Sequence, residues 1–340
     1  MRSRRISTIQ FVRSSLVKEC YRTSLGTAVV ARSEDYLPLL PEASVDLVIT
    51  SPPFPLLRQK AYGNLTQAAY VDWLVSFGPL VRRVLKETGS FVLDMGGAYQ
   101  RGMPVRSLCN FRVLLRLCDE YGFFLAEEFF WHNPAKLPSP IEWVNKRKIR
   151  AKDSVNTIWW LSKTAEPKAD VTKVRTPYSK RMRQLLKDPS QFFSADKRPS
   201  GHDIRSGFNT DNGGALPSNL LSYANTESNS LYLRFCKRFG VTPHPARFPE
   251  ALPEFFIKFL TDPGDLVLDI FAGSNTTGRT AERLGRRWLT VDHNHDYVVG
   301  SALRFMDGWS EDRVRGFLAR AKNLSPFEPL SISHKFLAAG

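Results

Sequence analysis

The sequence has few cysteines and none of the spacings that hold zinc. Its 340 residues include four: Cys20, Cys109, Cys118 and Cys236. None belongs to a C-x-x-C pair, and no histidine cluster stands near them. We therefore predict buried thiols in a reducing compartment and no metal site.

Long apolar runs are also missing. No run approaches the roughly 18 residues that cross a bilayer, so we predict no membrane partner. At the N-terminus, residues 1–21 carry five basic side chains and one acid, Glu19. That composition resembles a transit peptide; a basic arm over residues 1–23, free or touching DNA, is the favoured alternative.

Acidic residues are scarce. The chain has 33 Asp and Glu against 48 Lys and Arg, a net charge of +15 with a pI of about 9.8. Such an excess favours a nucleic-acid partner. Residues 136–183 contain 13 basic side chains and four acidic ones. This segment is predicted to bind phosphates, the alternative being a solvated helix face. The candidate contacts are Lys136, Lys146, Arg147, Lys148 and Arg150.

The dinucleotide fingerprint G-x-G-x-x-G and a phosphate-loop lysine are both absent from the glycine-rich turn at residues 269–278. Gly273 in this turn allows the backbone to approach a ligand closely. Asp292 follows the next predicted strand, where an acid commonly accepts ribose hydroxyls. The pattern predicts a ligand that contains adenosine; a plain turn from strand to helix is the alternative.

Apolar runs alternate with amphipathic stretches and predict an α/β fold. Strands are expected at 45–49, 90–95, 123–131, 156–162, 266–271 and 287–291. Helices are expected at 68–85, 110–121, 252–260, 276–284 and 297–306. Such alternation indicates a mainly parallel sheet with helices on both faces. From about residue 164 to 241 turn-forming residues dominate, so we predict an inserted domain or a set of long functional loops.

The sharpest motif is Thr50-Ser-Pro-Pro-Phe54, which ends the first of these strands. Here the chain resembles the amino-methylating DNA methyltransferases. Adenine-N6 members usually carry Asp or Asn before Pro-Pro, whereas cytosine-N4 members usually carry Ser. The segment His244-Pro-Ala-Arg-Phe-Pro249 resembles the part of these enzymes that closes over the methionine end of the methyl donor. The motif order resembles the β-class of type II cytosine-N4 enzymes.

The resemblance implies a class I, Rossmann-like methyltransferase fold that is circularly permuted and carries a target-recognition insertion. The implied parts are a catalytic half (24–163), a target-recognition region (164–243), a donor-binding half (244–310) and a C-terminal tail (311–340). The implied cofactor is S-adenosylmethionine. Its implied contacts are Asp269, Phe271, Gly273, Ser274, Asn275, Thr276, Asp292, His244, Phe248 and Pro249. The family's usual Gly-Asp-Ser is replaced by Ala31-Arg32-Ser33, and Asp35 is the expected substitute for its acid.

Catalysis is assigned to Ser51, Pro52, Pro53 and Phe54. The N4 amine of cytosine is conjugated with the ring, so its lone pair is a poor nucleophile. Ser51 Oγ and the Pro52 carbonyl, held by the prolines, would accept the amine hydrogens and free that lone pair. Because the amine is inaccessible in a duplex, the base must flip out, and Phe54 is expected to stack on it.

The implied partner is double-stranded DNA in a bacterial cytoplasm, with a possible cognate restriction endonuclease. Candidates for base reading are Arg198, Ser200, His202 and Arg205. Two alternatives stay open: an adenine-N6 or RNA methyltransferase on the same fold, and a catalytically dead DNA-binding regulator.

Overall fold

The computed structural model describes residues 17–53, 67–100, 102–188, 210–226, 230–322 and 330–332. Five predicted site residues lie outside these ranges, namely Phe54, Arg198, Ser200, His202 and Arg205.

The described strands form one ten-stranded sheet in the order β10-β1-β2-β9-β8-β3-β4-β6-β5-β7. Six of the nine neighbouring pairs are parallel, so the predicted mainly parallel sheet is confirmed. The strands are β1 (Lys18–Arg22), β2 (Gly26–Val30), β3 (Val45–Thr50), β4 (Leu85–Gly96), β5 (Phe124–His132), β6 (Val155–Ser162), β7 (Leu220–Ser222), β8 (Leu266–Asp269), β9 (Arg287–Asp292) and β10 (Leu330–Ser331).

Helices cover both faces of the sheet. They are α1 (Ser33–Tyr36), α2 (Gln67–Val75), α3 (Phe77–Val84), α4 (Cys109–Asp119), α5 (Lys180–Lys187), α6 (Leu231–Phe239), α7 (Ala251–Leu260), α8 (Thr276–Arg283), α9 (His295–Ser301) and α10 (Glu311–Lys322). Residues of α1–α4 pack in one hydrophobic cluster and residues of α6–α10 in the other. The two clusters meet the two faces of β3: Leu47 and Ile49 belong to one, Val45 and Val48 to the other.

The region between 85 and 96 differs from the prediction. Instead of one helix to residue 85, α3 ends at Val84 and β4 begins at once, because Leu85 pairs with Val45 of β3. Gly89 lies inside this strand, where the register shifts between the β3 partners Val45 and Leu47. The apolar pattern predicted the strand's buried half, and strand pairing extended it.

The described parts of the predicted arm and tail take part in the fold. Residues 18–22 of the arm form β1, where Tyr21 is fully buried and its hydroxyl lies 2.7 Å from Ser301 Oγ. The predicted tail begins with α10, whose Val314 and Phe317 are buried in the core. Their apolar side chains provide the physical reason: each segment buries them against the main sheet.

The described part of the predicted insertion adds to the main sheet instead of forming a separate layer. Strand β7 pairs in parallel with β5, and α6 buries Tyr232 and Cys236 in the core. These described stretches of the predicted insertion are therefore part of the main fold. Among the same described ranges, no helix is both long and apolar enough to cross a membrane.

Candidate active site

Ser51 and Asp94 meet at the ends of neighbouring parallel strands. Ser51 follows β3 and Asp94 lies near the end of β4, and Ser51 Oγ donates to Asp94 Oδ2 at 3.0 Å. The other carboxylate oxygen accepts a 3.1 Å hydrogen bond from Asn156 Nδ2 on β6. Because the hydroxyl hydrogen points at Asp94, the lone pairs of Ser51 Oγ are left to accept hydrogens from a ligand.

Asp94 sits in an apolar setting that disfavours its charge. Burial raises the pKa of Asp94 to about 6, while Asn156, Ser51 and the positive charge of Lys136 act to lower it. A small cavity lies beside this carboxyl group. It is lined by Ile49, Thr50, Val92, Asp94, Ile158, Phe248, Leu252 and Phe256. A carboxyl group with a pKa near neutrality can take up and release a proton at physiological pH.

Pro52 is buried and Pro53 half-buried directly after Ser51. Proline fixes φ near −65°, so the backbone carbonyls here have restricted directions. The fourth predicted catalytic residue, Phe54, lies outside the described residues.

The predicted donor turn is joined directly to Asp292. Gly273 N–H donates to Asp292 Oδ2 at 2.9 Å, and Asn294 N–H donates to Oδ1 at the same distance. Gly273 has a φ of +49°, and a Cβ there would lie 2.9 Å from Cε1 of His244. Glycine at 273 is therefore required both by the left-handed backbone and by the close approach of the His244 ring.

Asp269 and the neighbouring polar side chains face inward. Asp269 accepts from Thr50 Oγ1 at 2.6 Å, from Thr277 Oγ1 at 2.7 Å and from the Phe271 N–H at 3.0 Å. Burial raises its pKa to about 6 despite these donors. Asn275 Nδ2 donates to the Tyr21 hydroxyl, and its Oδ1 caps α8 by accepting from Gly278 N–H.

Ser274 and Thr276 are buried as well, and their hydroxyl oxygens lie 3.3 Å apart. The buried Arg304 donates to the Ser274 carbonyl at 2.6 Å and to its Oγ at 3.0 Å. The described contacts of Asp269, Ser274, Asn275 and Thr276 thus fix the shape of the turn, whose more accessible residues are the half-buried Phe271 and Ala272.

Phe271 packs against two aromatic rings, and Glu34 is hydrogen-bonded to one of them. The Phe271 ring lies 5.4 Å from Trp73 and 5.2 Å from Phe77, between ring centres. Glu34 accepts a hydrogen bond from the Trp73 side chain, and Arg32 Nη2 donates to Glu34 at 2.8 Å. Asp35, the expected substitute acid, is instead exposed on α1, because the helix turns its side chain away from the buried Ser33 and Tyr36.

The His-Pro segment connects the two halves of the site. The His244 N–H donates to the Tyr232 hydroxyl at 3.0 Å, and the His244 ring packs edge-on against Tyr297. Four residues later, Phe248 lines the cavity beside Asp94, and the buried Pro249 precedes α7. The segment therefore runs from the donor turn to the Asp94 cavity.

The predicted phosphate-binding segment is divided by β6 between two edges of the sheet. Asn156 pairs with Gly96 at the end of β4, whereas Ser162 pairs with Ser90. Residues 133–154 therefore lie at the edge that holds Ser51, and they include Lys136, Lys146, Arg147, Lys148 and Arg150. Residues beyond 162 emerge at the opposite edge.

The lysines at that opposite edge are paired with acids. Lys163 Nζ lies 2.7 Å from Glu87, and Lys168 Nζ lies 2.6 Å from Asp262 and 2.5 Å from Asp265. One continuous face over 136–183 is therefore interrupted at Lys163, Lys168 and Lys173, which are paired with acids at the other edge. The reason is the direction of β6, which runs from the edge of the sheet that holds Ser51 to the opposite edge.

Basic side chains at the Ser51 edge stay largely exposed. Lys146 lies 3.2 Å from Glu142, the Arg147 guanidinium lies 5.2 Å from the centre of the Trp143 ring, and Arg150 Nε donates to the Pro104 carbonyl at 2.9 Å. Surface pairs of this kind are weak and can open for a phosphate.

Sequence reasoning missed Asp94, Asn156 and Glu34. A signal existed for Asp94, because it is a single carboxylate in the apolar run Phe91-Val-Leu-Asp-Met95. A charge at such a position requires a partner or a function. Asn156 opens an apolar strand in the same way, whereas no pattern separates Glu34 from Asp35.

A family model and two relatives match most of the chain. The N6_N4_Mtase family model, described as DNA methylase, matches residues 45–302. The chain is 56% identical over 307 residues to the type II methyltransferase M.PvuII of Proteus hauseri, covering 90% of this chain and 91% of that protein. It is 24% identical over 307 residues to the DNA adenine methyltransferase YhdJ of Escherichia coli, covering 85% and 89%.

A solved structure is similar over nearly the same length. The PvuII DNA methyltransferase (cytosine-N4-specific) superposes with a TM-score of 0.75 and 49% sequence identity. The match covers 92% of this chain and 97% of that one.

Proposed function

The chain belongs to the N6/N4 family of DNA methylases, and from this membership we propose that it transfers a methyl group to the N4 amine of cytosine in duplex DNA. The single observation that carries the assignment of the site is the hydrogen bond from Ser51 to the buried Asp94, beside the donor turn. The target base and reaction agree with the solved structure that is 49% identical, a DNA methyltransferase described as cytosine-N4-specific.

The methyl donor is S-adenosylmethionine. We place it over the turn at 269–278, where Gly273 lets the backbone approach and Asp292 can accept the ribose hydroxyls with its remaining lone pairs. Phe271 offers an aromatic face to the adenine, and Glu34 is linked to that ring through Trp73. His244, Phe248 and Pro249 would enclose the methionine end. When bound, the donor supplies an electrophilic methyl group on its sulfonium.

Ser51 activates the amine in this proposal. Its proton is held by Asp94, so its Oγ lone pair accepts one N4 hydrogen, and the Pro52 carbonyl accepts the other. Both acceptors draw the nitrogen towards a tetrahedral shape and free its lone pair for attack on the methyl group. The acceptors are fixed before reaction, which is how preorganised polar groups lower a barrier.

Asp94 then takes the proton that the amine must lose. As the N–C bond forms and the S–C bond breaks, N4 becomes cationic and releases a proton to Ser51 Oγ. Ser51 passes its own proton to Asp94 Oδ2 across the 3.0 Å hydrogen bond. The pKa of about 6 suits this role, because it lies close to the working pH.

DNA binds along the basic edge in this assignment. Lys136, Lys146, Arg147, Lys148 and Arg150 neutralise phosphates, which gives affinity without sequence information. Phe54 stacks on the flipped cytosine. Arg198, Ser200, His202 and Arg205 are proposed to read base edges.

We further propose a bacterial cytoplasmic enzyme that protects the sites cut by a partner restriction endonuclease. Support comes from the description of the relative in Proteus hauseri as a type II methyltransferase. Digestion of host DNA with nucleases before and after expression would reveal which site becomes protected.

The decisive experiment measures the modified nucleoside. Genomic DNA from an expressing host is digested to nucleosides, which are separated and identified by mass spectrometry. Sequencing then locates the modified site. N4-methyldeoxycytidine in one sequence context is expected. N6-methyldeoxyadenosine would support the adenine alternative, and no modified nucleoside would support a DNA-binding regulator.

A further inference from the structure

Leu137 is the most exposed large hydrophobic side chain among the described residues. It is 80% exposed, against 62% for Leu216 and 57% for Leu115. A single exposed leucine needs no explanation by itself. Leu137 differs from the other exposed leucines in its position and in the groups around it.

Leu137 lies in the loop after β5, at the edge of the sheet that holds Ser51 and Asp94. It follows β5, whose end is aligned with Asp94 through β6: Trp131 pairs with Asn156, and Asn156 donates to Asp94. The adjacent Lys136 is close enough for its charge to act on that carboxylate. The leucine is thus adjacent in sequence to a lysine whose charge acts on Asp94.

The backbone around Leu137 is held in place. Asn133 N–H donates to the Ser154 carbonyl at 2.8 Å, and Asp153 N–H donates to the Ser139 carbonyl at 3.0 Å. Pro138 and Pro140 restrict φ on the C-terminal side. An anchored loop presents the leucine with little further loss of conformational freedom.

The surrounding charge suits a nucleic acid. Lys136 precedes the leucine, and Lys146, Arg147, Lys148 and Arg150 follow on the same segment. Cations that hold the two backbones would bring an exposed apolar side chain against the stacked bases. Leucine is one of the side chains that proteins insert between bases as an apolar wedge.

We propose that Leu137 is the wedge that enters the DNA stack when the target cytosine leaves it. The proposal rests on the proposed function, because only an enzyme that flips its target base needs such a wedge. Flipping loses stacking and pairing. An apolar side chain that fills the gap restores contacts and holds the base in the site, so Leu137 is a positioning residue.

The test compares two duplexes that carry the chain's own recognition site. In one the target cytosine is paired with guanine; in the other it lies opposite an abasic site and is already unpaired. With Leu137→Ala, single-turnover methylation of the paired duplex should slow about tenfold, the change that about 1.4 kcal/mol produces. The abasic duplex should react at nearly the wild-type rate, and 2-aminopurine beside the target should lose its fluorescence rise only in the paired duplex.

Leu115→Ala is the matched control, because Leu115 is an exposed leucine on α4. It should leave both rates unchanged, and Leu137→Met should restore most of the paired rate. An unchanged paired rate for Leu137→Ala, or an equal loss on both duplexes, would overturn the proposal. A wild-type chain that methylates neither duplex would instead refute the proposed function.

Discussion

Asp94 and Asp269 lie at the ends of β4 and β8, the two strands that flank β3, and burial raises the pKa of each to about 6. Their partners differ. Asp94 binds the half-buried Ser51 and lines a cavity, whereas Asp269 is enclosed by Thr50, Thr277 and a backbone N–H. A raised pKa therefore does not identify a catalytic group. The partner, and whether it can reach a ligand, decides the role.

The largest effect is expected from removing the Ser51 hydroxyl, which bonds Asp94 but not Asp269. Ser51→Ala should lower the single-turnover methylation rate by roughly 100- to 1,000-fold, or about 2.7–4 kcal/mol, because one preorganised acceptor is lost from the transition state. Binding of donor and DNA should stay nearly intact, since Asp269 and the donor turn are untouched. Ser44→Ala, which changes a half-buried serine at the other end of β3, serves as control. A wild-type rate would refute the proposed amine geometry.

The stability of the fold should depend on Asp269. Its folded pKa of about 6 lies above the unfolded 3.8, so the folded state holds the proton more tightly. The contribution of Asp269 to the free energy of unfolding is fully present below about pH 4. It is lost as the pH rises to about 6 and beyond, which lowers that free energy by about 3 kcal/mol. Chemical denaturation across this window should show a smaller loss in Asp269→Asn. An identical pH slope in the variant would contradict this account.

Donor affinity tests the turn that follows Asp269, through Asp292, which accepts from the Gly273 N–H of that turn. Asp292→Ala should weaken S-adenosylmethionine binding by about 1.5–3 kcal/mol, because a charged acceptor is removed and the Gly273 N–H loses its partner. Calorimetry measures the Kd, and Asp296→Ala, an exposed acid on the adjoining helix, is the control. An unchanged Kd would place Asp292 outside the donor site.

The pH dependence of the rate separates the two aspartates directly. If ionised Asp94 receives the proton, the wild-type rate should fall about tenfold per pH unit below about pH 6. Asp94→Asn should be slow and lack this limb, whereas Asp269→Asn should keep it. The comparison would fail if the limb disappeared in Asp269→Asn and persisted in Asp94→Asn.

The smallest effect concerns the two edges of the sheet. Lys146→Ala with Arg147→Ala should flatten the log–log salt dependence of DNA binding by roughly two units, at about 0.9 per phosphate. Lys168→Ala with Lys173→Ala removes two charges from the same stretch of sequence but from the opposite edge, and should leave the slope unchanged. Equal slopes for both pairs would restore the single face that the sequence suggested.

Local pattern was enough to predict much of the fold. The apolar run at 45–49 predicted β3 as a strand buried on both faces, and the alternation of strands and helices predicted a mainly parallel α/β sheet. The motif at 50–54 predicted the family, which the family model and the 56% identical relative confirm. These signals succeed because burial imposes a period on neighbouring residues.

Other features depended on residues far apart in the chain. Ser51 and Asp94 are 43 positions apart, and Thr50 and Asp269 are 219 apart. Similarly, sequence alone did not reveal that β6 separates Lys163 and Lys168 from the basic side chains at 136–150. Nor did it reveal that Glu34 and not Asp35 joins the aromatic group at Phe271.

The sequence by itself thus determined which residue types could perform the chemistry and which stretches would be strands and helices. Only the tertiary structure decided which carboxylate serves Ser51, which one fixes the donor turn, and which lysines face the site. The physical reason is that the order of strands in a sheet follows from packing over the whole chain. The ends of those strands, where the site is built, come together only once that order is set.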